Sequence, residues 1–224
     1  MNTLTRTSTD IESEQQLRKQ VEKAFEELNN KLHGSAERTF DDLLEWIVNG
    51  FHIGGKGIGG WRYTPEQTAF FLDTFKALVS AMNAILKTRP WYDFLGNIYE
   101  TFVAGILRKR GAGQFFTPMN VADCMAKIAK PENGESICDP CCGSGRMLLA
   151  AHAENPGAVL YAQDLDRTCV MMTVVNFLLH GCRGRVVWGN SLTDESREVW
   201  VVNPDDELVA KGLTHCILLD TPKS

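Results

Sequence analysis

The residues best suited to chemistry are two acids placed around a glycine turn. Asp139 and Pro140 end a short apolar run, and a Gly-Ser-Gly turn at 143–145 leads into good helix formers from Arg146. A strand, a glycine turn and a helix in this order bring backbone N–H groups against a bound ligand. About nineteen residues further on, Asp164 ends a second apolar run, at the spacing of an acid that accepts hydrogen bonds from ribose hydroxyls.

The glycine pattern helps to choose between nucleoside ligands. It does not match the G-x-G-x-x-G fingerprint of dinucleotide-binding proteins. The acid before the turn, Asp139, favours a ligand that carries positive charge, such as S-adenosylmethionine. A glycine turn after a strand is also a common tight connection, so the cofactor interpretation depends on Asp139 and Asp164 together.

Composition limits the class of protein. The chain has 224 residues, a net charge of −5 and 44% hydrophobic residues, which predicts a soluble domain with an appendage. No apolar run reaches the length of a membrane span, and residues 1–6 lack the hydrophobic region of a signal peptide. Seven cysteines, an odd number, indicate a reducing, cytoplasmic compartment. The net negative charge argues against strong non-specific binding to nucleic acid.

Three of the cysteines, Cys138, Cys141 and Cys142, invite comparison with a zinc site. No C-x-x-C partner or histidine pair follows at the spacing that zinc ligands need. We therefore expect small buried packing residues rather than ligands, and we predict no metal.

Helical patterns dominate the first part of the chain, and we predict a helical N-terminal domain over residues 1–110. The predicted helices are 11–33, 40–48, a helix from Thr64-Pro65 to Arg89, and 93–107. The glycine-rich stretch 50–60 is interpreted as a linker rather than a phosphate cradle, because it lacks the ending of a P-loop. The basic residues 108–110 are explained by the helix dipole, with phosphate contact as the alternative.

Beyond residue 110, short apolar runs alternate with helix-forming segments. The predicted strands are 137–138, 159–163, 185–188 and 213–219, with helices at 121–128 and 168–179. The first of these helices has Thr117 as its N-cap and Pro118 at its first position. The alternation predicts an α/β fold with a parallel, doubly wound sheet and right-handed crossovers.

Five short motifs, in this order, resemble one protein family. They are G-Q-F-F-T-P at 113–118, D-P-C-C-G-S-G at 139–145, Q-D-L-D at 163–166, N-F-L-L-H-G at 176–181 and G-N-S-L at 189–192. Together they resemble the methylation subunit of type I restriction-modification systems and the related adenine-N6 DNA methyltransferases. The resemblance extends from near Tyr92 to the C-terminus.

The resemblance implies a fold, a cofactor and its contacts. It implies a truncated Rossmann-like, S-adenosylmethionine-dependent methyltransferase domain over 111–224, with the first four strands only. The implied cofactor-binding residues are Thr117, Pro118, Asp139, Gly143, Gly145, Asp164 and Asn190. Thr117 and Pro118 would lie along the methionine part of S-adenosylmethionine, with Asp139 near its amino group. Asp164 would hold the ribose, and Asn190, where the family usually has aspartate, would meet the adenine edge.

The family's catalytic motif, N/D-P-P-Y/F, has two candidate positions here. The strand at 213–219 leads to Asp220-Thr221-Pro222-Lys223, which keeps an acidic acceptor and one proline but has no aromatic ring. Asn203-Pro204 keeps an Asn-Pro pair but sets two carboxylates where a flipped adenine would stack. We favour Asp220, with Pro222 shaping the loop, because 216–219 is the better buried strand.

The implied function is methylation of adenine N6 in double-stranded DNA, with a specificity subunit or a second copy as partner. The alternative is a catalytically inactive, cofactor-binding relative that acts as a regulatory or anti-restriction partner; Lys223 and the early end of the chain favour it. An RNA or protein methyltransferase is a third, less favoured interpretation. A sheet that stops after its fourth strand leaves an apolar edge, which we expect a partner chain or a second copy to cover.

Overall fold

The computed structural model describes residues 8–32, 34–54, 62–105, 114–132 and 134–219. Contacts within the chain divide it into two compact units. The first consists of Met1–Phe40 and Arg62–Gly113, and the second of Asp41–Trp61 and Gln114–Ser224. Within the described residues, no helix is both long and apolar enough to cross a membrane.

The first unit is helical, as its apolar periodicity predicts. Its helices are α1 (Ser8–Leu32), the first residues of α2 (Ala36–Phe51), α3 (Pro65–Ile85) and α4 (Phe94–Ile98), which continues as a π-helical turn over Tyr99–Val103. The predicted start of α3 is confirmed, because Thr64 Oγ1 accepts from Gln67 N and the Gln67 side chain accepts from Thr64 N. The basic run 108–110 lies outside the described residues.

The second unit holds a five-stranded sheet in the order β1-β2-β3-β4-β5. The strands are β1 (Ser136–Asp139), β2 (Val159–Asp164), β3 (Gly184–Asn190), β4 (Glu195–Val202) and β5 (Cys216–Leu219). The helices are α5 (Met119–Ala129), α6 (Arg146–Glu154), α7 (Arg167–His180) and α8 (Asp206–Ala210). The predicted fold class, a Rossmann-like α/β sheet after a helical N-terminal region, is confirmed.

In the parallel part of the sheet, helices connect successive strands as predicted, and the right hand of these crossovers stays a prediction. β1, β2 and β3 pair in parallel, and the chain passes through α6 and then α7 between them. Ten of the fourteen residues of α7 are buried. A helix that is apolar on all sides must be covered on all sides, so α7 is a rigid internal support for the loops at the ends of the strands.

The prediction of a wholly parallel sheet is wrong. β4 pairs antiparallel with both β3 and β5. A parallel connection needs a crossover of about a dozen residues, whereas only residues 191–194 separate β3 from β4. The left-handed backbone of Asp194, with φ of 57°, lets the chain reverse there. The predicted fourth strand is therefore the fifth, and β4 is an additional strand.

The second half of α2 belongs to the sheet unit. Arg167 Nη1 donates to Glu45 Oε1 at 2.8 Å, and Thr168 Oγ1 donates to Asp41 Oδ1 at 2.6 Å, so α2 is fastened to the first turn of α7. After α2, Ile53 N donates to Cys216 O at 2.9 Å and covers part of the outer edge of β5. These contacts are local to the second unit; the domain boundary at residue 110 stays a prediction. The remainder of the predicted linker, 55–60, is outside the described residues.

Candidate cofactor site

A cavity of about 290 Å³ lies at the carboxyl ends of β1 and β2. Four of the seven predicted cofactor-binding residues line it, namely Thr117, Asp139, Gly143 and Asp164. The other three predicted residues, Pro118, Gly145 and Asn190, are not among the residues that line it. The carboxyl edge of parallel strands is the usual place for a ligand in an open α/β sheet, so the cavity is the candidate site.

The floor of the cavity is the glycine turn between β1 and α6. Gly143 and Gly145 have φ angles of 55° and 84°, in the left-handed region that side chains disfavour. A Cβ at Gly143 would lie 2.9 Å from Cδ1 of Phe116, and one at Gly145 would lie 3.1 Å from Cγ2 of Thr173. Any other residue would be strained by the backbone at both positions, and its Cβ would crowd these neighbours. Gly145 does not line the cavity, but it lies against Thr173.

The buried helix α7 holds this turn in place. Asn176, fully buried, donates from Nδ2 to the carbonyl oxygen of Ser144 at 2.8 Å. Thr173 Oγ1 donates to the carbonyl oxygen of Gly143 at 3.0 Å. Since both carbonyls are fixed by side chains of one helix, the N–H groups of the turn keep their direction without a ligand.

Asp164 connects the turn to the loop after β2. Its Oδ2 accepts from Gly143 N at 2.8 Å, and its Oδ1 accepts from Asp166 N at 2.9 Å. Burial raises the pKa of this carboxyl above the ordinary value of 3.8, and the two backbone N–H groups counteract that rise only in part. A cationic ligand would favour the ionised form of Asp164 and so draw its pKa back down.

Asp139 has a simpler environment at the end of β1. Its Oδ1 accepts from Cys141 N at 3.1 Å, which closes an Asx turn over Pro140. The side chain is half-buried and lines the cavity. The site therefore presents two separate carboxylates, one at the end of each strand.

The segment from Gln114 to Thr117 forms a second wall. Gln114 Nε2 donates to Asp166 Oδ2 at 2.9 Å, and Gln114 Oε1 accepts from Cys169 Sγ at 2.9 Å. Phe116 contributes its ring to the lining. Gln114 and Phe116 were not named as site residues from the sequence, although both belong to the motif at 113–118.

The predicted cap of α5 is wrong. Its N-cap is Pro118, with no side-chain hydrogen bond, and Thr117 lies one residue before it. Val121 N and Ala122 N both donate to the carbonyl oxygen of Pro118, so the backbone supplies the acceptor that the Thr117 hydroxyl was expected to provide. Thr117 is instead free to face the cavity that it lines.

The cysteines of the turn differ from one another. Cys142 is buried as predicted, and it hydrogen-bonds with Thr173. The prediction is wrong for Cys138 and Cys141, which are exposed. β1 pairs with β2 alone within the described residues, which leaves Cys138 accessible, and Cys141 lines the cavity. All seven cysteines are free thiols.

Asn190 lies at the same edge of the sheet but apart from the cavity. It ends β3, whose Trp188 pairs with Asp164, and its Oδ1 accepts from Leu192 N at 3.0 Å in an exposed turn. Its assignment to the adenine edge stays a prediction.

Strand direction bears on the two candidate catalytic positions. Asp220 and Pro222 lie outside the described residues, but they follow β5, which runs in the same direction as β1, β2 and β3. Asn203 follows the reversed strand β4 and is at the opposite edge, where Val202 pairs with Gly184 at the start of β3. Asn203 is therefore wrongly placed for chemistry at the cavity. The catalytic assignment of Asp220 and Pro222 stays a prediction.

The fold and the site define a class: an α/β protein with a cavity between a glycine turn and an acid on the next strand. The family model described as N-6 DNA Methylase matches residues 91–211, just over half of the chain. The chain belongs to this family. Membership confirms the resemblance drawn from the motifs, and with it S-adenosylmethionine as the cofactor of the class.

Two curated relatives and one solved structure illustrate the similarity. The chain is 33% identical over 117 residues to the type I restriction enzyme MjaVIII methylase subunit of Methanocaldococcus jannaschii, covering 49% of this chain and 20% of the relative. It is 29% identical over 130 residues to the type I restriction enzyme EcoEI methylase subunit of Escherichia coli, covering 49% and 26%. The crystal structure of the type I restriction-modification system methyltransferase subunit from Streptococcus thermophilus is 27% identical, with a TM-score of 0.34, covering 53% and 26%. The chain spans about a quarter or less of the length of the curated relatives.

Proposed function

We propose that this chain binds S-adenosylmethionine in the cavity at the ends of β1 and β2, as the cofactor-binding part of an adenine-N6 DNA methyltransferase. The observation that carries the proposal is the pair of carboxylates, Asp139 and Asp164, that line the cavity on either side of the glycine turn. A Cβ at Gly143 of this turn would lie 2.9 Å from the Phe116 ring, so the close packing there depends on glycine. Two carboxylates suit a ligand that carries a sulfonium and an ammonium group.

Each side chain at the cavity is assigned to one part of S-adenosylmethionine. The Asp164 carboxylate is fixed by two backbone N–H groups, and each of its oxygens retains a second lone pair for a ribose hydroxyl. The Asp139 carboxylate pairs with the ammonium group of the amino-acid part. Thr117 and Pro118, at the start of α5, lie along that part, with Gly143 and Gly145 shaping the floor and Asn190 meeting the adenine edge. S-Adenosylmethionine, when bound, supplies an electrophilic methyl group.

The acceptor side is assigned to the residues that follow β5. Asp220 would accept a hydrogen bond from the amino group of a flipped adenine, and Pro222 would shape the loop. The direction of β5 supports Asp220 over Asn203. The proposed substrate is double-stranded DNA, the proposed partners are a specificity subunit or a second copy, and the proposed compartment is the cytoplasm, in keeping with seven free thiols.

One observation favours a second candidate, a cofactor-binding protein that does not methylate DNA alone. β5 lies three strands from β2, about 14 Å at the usual strand spacing. Reacting atoms must approach within about 3–3.5 Å. A regulatory or anti-restriction partner needs only the cofactor cavity and a surface for its target.

Two measurements on the purified chain separate these candidates. The first is binding of S-adenosylmethionine by calorimetry, and the second is transfer of a radioactive methyl group to adenine in double-stranded DNA. Binding with transfer that Asp220→Ala abolishes supports the enzyme. Binding without transfer supports the non-catalytic candidate, and absence of binding overturns both.

A further inference from the structure

A buried arginine forms part of the same cavity. Arg146 is the first residue of α6 and is only 5% exposed. Its Nη1 donates to the carbonyl oxygen of Thr117 at 3.3 Å, and its guanidinium carbon lies 5.4 Å from the centre of the Phe116 ring. Both neighbours line the cavity, as Arg146 does. The guanidinium therefore lies in the wall of the cavity, with an aromatic ring and a backbone carbonyl oxygen among its contacts.

The position of Arg146 in its helix does not by itself favour a cation. The N-terminus of a helix carries partial positive charge, which disfavours a cation in the first turn. Removing a guanidinium from water is also unfavourable. The sequence pattern requires only a good helix former after Gly145, and a smaller residue would allow the same turn and helix. A buried arginine that lines a ligand cavity is a candidate for recognising an anionic group.

The charges around the cavity match the charges of one ligand. Among the described residues that line the cavity, the aspartates and arginines are Asp139, Asp164 and Arg146. S-Adenosylmethionine carries a sulfonium, an ammonium and one carboxylate. Asp139 therefore opposes the ammonium group and Arg146 opposes the carboxylate, while Asp164 is left for the neutral ribose hydroxyls.

We propose that Arg146 binds the α-carboxylate of the methionyl part of S-adenosylmethionine and so selects amino-acid-bearing adenosyl ligands. This inference rests on the proposed function. The placement follows from topology: Asp139 ends β1 and Arg146 begins the helix after the β1 turn, so the amino-acid end of the ligand lies over β1. Asp164 ends β2 and takes the nucleoside end.

The test compares ligands that differ in the carboxylate alone. Calorimetry measures the affinities of the intact chain for S-adenosylmethionine and for decarboxylated S-adenosylmethionine, which keeps both cations. We expect the intact chain to prefer the carboxylated ligand by about 10- to 100-fold, the range of a charge-assisted hydrogen bond. In Arg146→Met that preference falls to about one, because only the carboxylated ligand loses affinity.

The variants include controls for folding and for general charge. Arg146→Lys keeps the cation and restores part of the preference. Arg183→Met removes one cation from an exposed ion pair with Asp206 before β3, and it leaves both affinities unchanged. The melting temperature of each variant, and its affinity for the decarboxylated ligand, show that the cavity is intact.

The outcomes distinguish this inference from the proposed function. If the intact chain binds both ligands equally well, or if Arg146→Met weakens both to the same degree, Arg146 is a structural residue and the inference is wrong. If the intact chain binds neither of them, the proposed function itself fails, and the inference fails with it.

Discussion

The two edges of the sheet use polar side chains in opposite ways. At the carboxyl ends of β1 and β2, Asp139 and Asp164 face a cavity. At the other edge, Asn203 is fully buried; its Nδ2 donates to Cys182 O at 2.8 Å and its Oδ1 accepts from His215 N at 3.0 Å. A polar residue that follows an apolar strand and precedes a proline occurs at both edges. Strand direction decides which of them can serve a ligand and which one serves the fold.

The greatest effect is expected at Asn203, at the end of the sheet opposite the cavity. Asn203→Ala should lower the free energy of unfolding by about 2–4 kcal/mol, since it leaves Cys182 O and His215 N buried without their partner and places alanine at a φ of 51°. Urea unfolding measures this. The matched control is Asn190→Ala at the ligand edge, whose partner Leu192 N is exposed, with an expected loss under about 1 kcal/mol. Equal losses would remove the distinction between the edges.

The next effect is on ligand affinity at the cavity. Asp164→Asn should weaken S-adenosylmethionine about 10- to 100-fold, because the charge is lost and the amide NH₂ faces the N–H of either Gly143 or Asp166. Calorimetry measures this. Asp205→Asn makes the same chemical change at the N-cap of α8, where asparagine caps as well as aspartate, and should leave affinity unchanged. A similar loss in both variants would contradict the account.

The affinity of the cavity for S-adenosylmethionine should depend on pH through Asp164. Because burial raises the pKa of Asp164, this carboxyl takes up a proton at a higher pH than an ordinary aspartate does. Affinity for S-adenosylmethionine should therefore begin to fall above the usual range, when pH is lowered from about 7 towards 4. The stability of the ligand-free chain has the opposite sign: between the unfolded and the raised folded pKa, the folded state binds more protons, so the contribution of Asp164 to stability grows as pH falls.

Two measurements across this pH range, on the native chain and on Asp164→Asn, separate these effects. Calorimetry gives the pH dependence of the affinity, and urea unfolding gives that of the stability. The variant should lose both pH dependences of this group. A native chain whose affinity stays constant down to the range of an ordinary aspartate would contradict the assignment of Asp164.

The smallest effect is expected at an exposed ion pair. Arg183 and Asp206 lie 2.9 Å apart with half or more of each side chain exposed. Such pairs contribute little in water, so Arg183→Ala should change the free energy of unfolding by under about 0.5 kcal/mol. Thermal or urea unfolding measures this. A loss as large as that of Asn203→Ala would mean that burial does not determine how much a polar contact of this unit contributes to the free energy of unfolding.

The sequence predicted the parts of the fold that local patterns determine. Apolar periodicity identified α1 and α3, the Thr64 capping box fixed the start of α3, and the glycine turn located β1 and α6. β4 was missed because its first half, Glu195 to Glu198, is charged and reads as a surface loop. Its antiparallel pairing depends on a four-residue connection, which no single segment reveals.

For the candidate site, the sequence located some of the residues that line the cavity, and their role in binding stays a prediction. Four of the seven predicted residues line the cavity, because they belong to the glycine turn, to the strand ends beside it and to the motif at 113–118. Arg146 was interpreted only as a helix former, since its burial against Phe116 and Thr117 depends on tertiary packing. Likewise, Cys138 was expected to be buried, and its exposure follows from the position of β1 at the edge of the described sheet.

Calorimetry on Asp139→Asn decides whether the carboxylates around the glycine turn bind S-adenosylmethionine. Asparagine keeps the oxygen that accepts from Cys141 N and removes only the charge. We expect the native chain to bind one S-adenosylmethionine and the variant to bind it at least about 10-fold more weakly. Both proteins should bind 5′-methylthioadenosine, which has no amino-acid part, equally well. Equal affinity of the two proteins for S-adenosylmethionine, or no binding by the native chain, would contradict it.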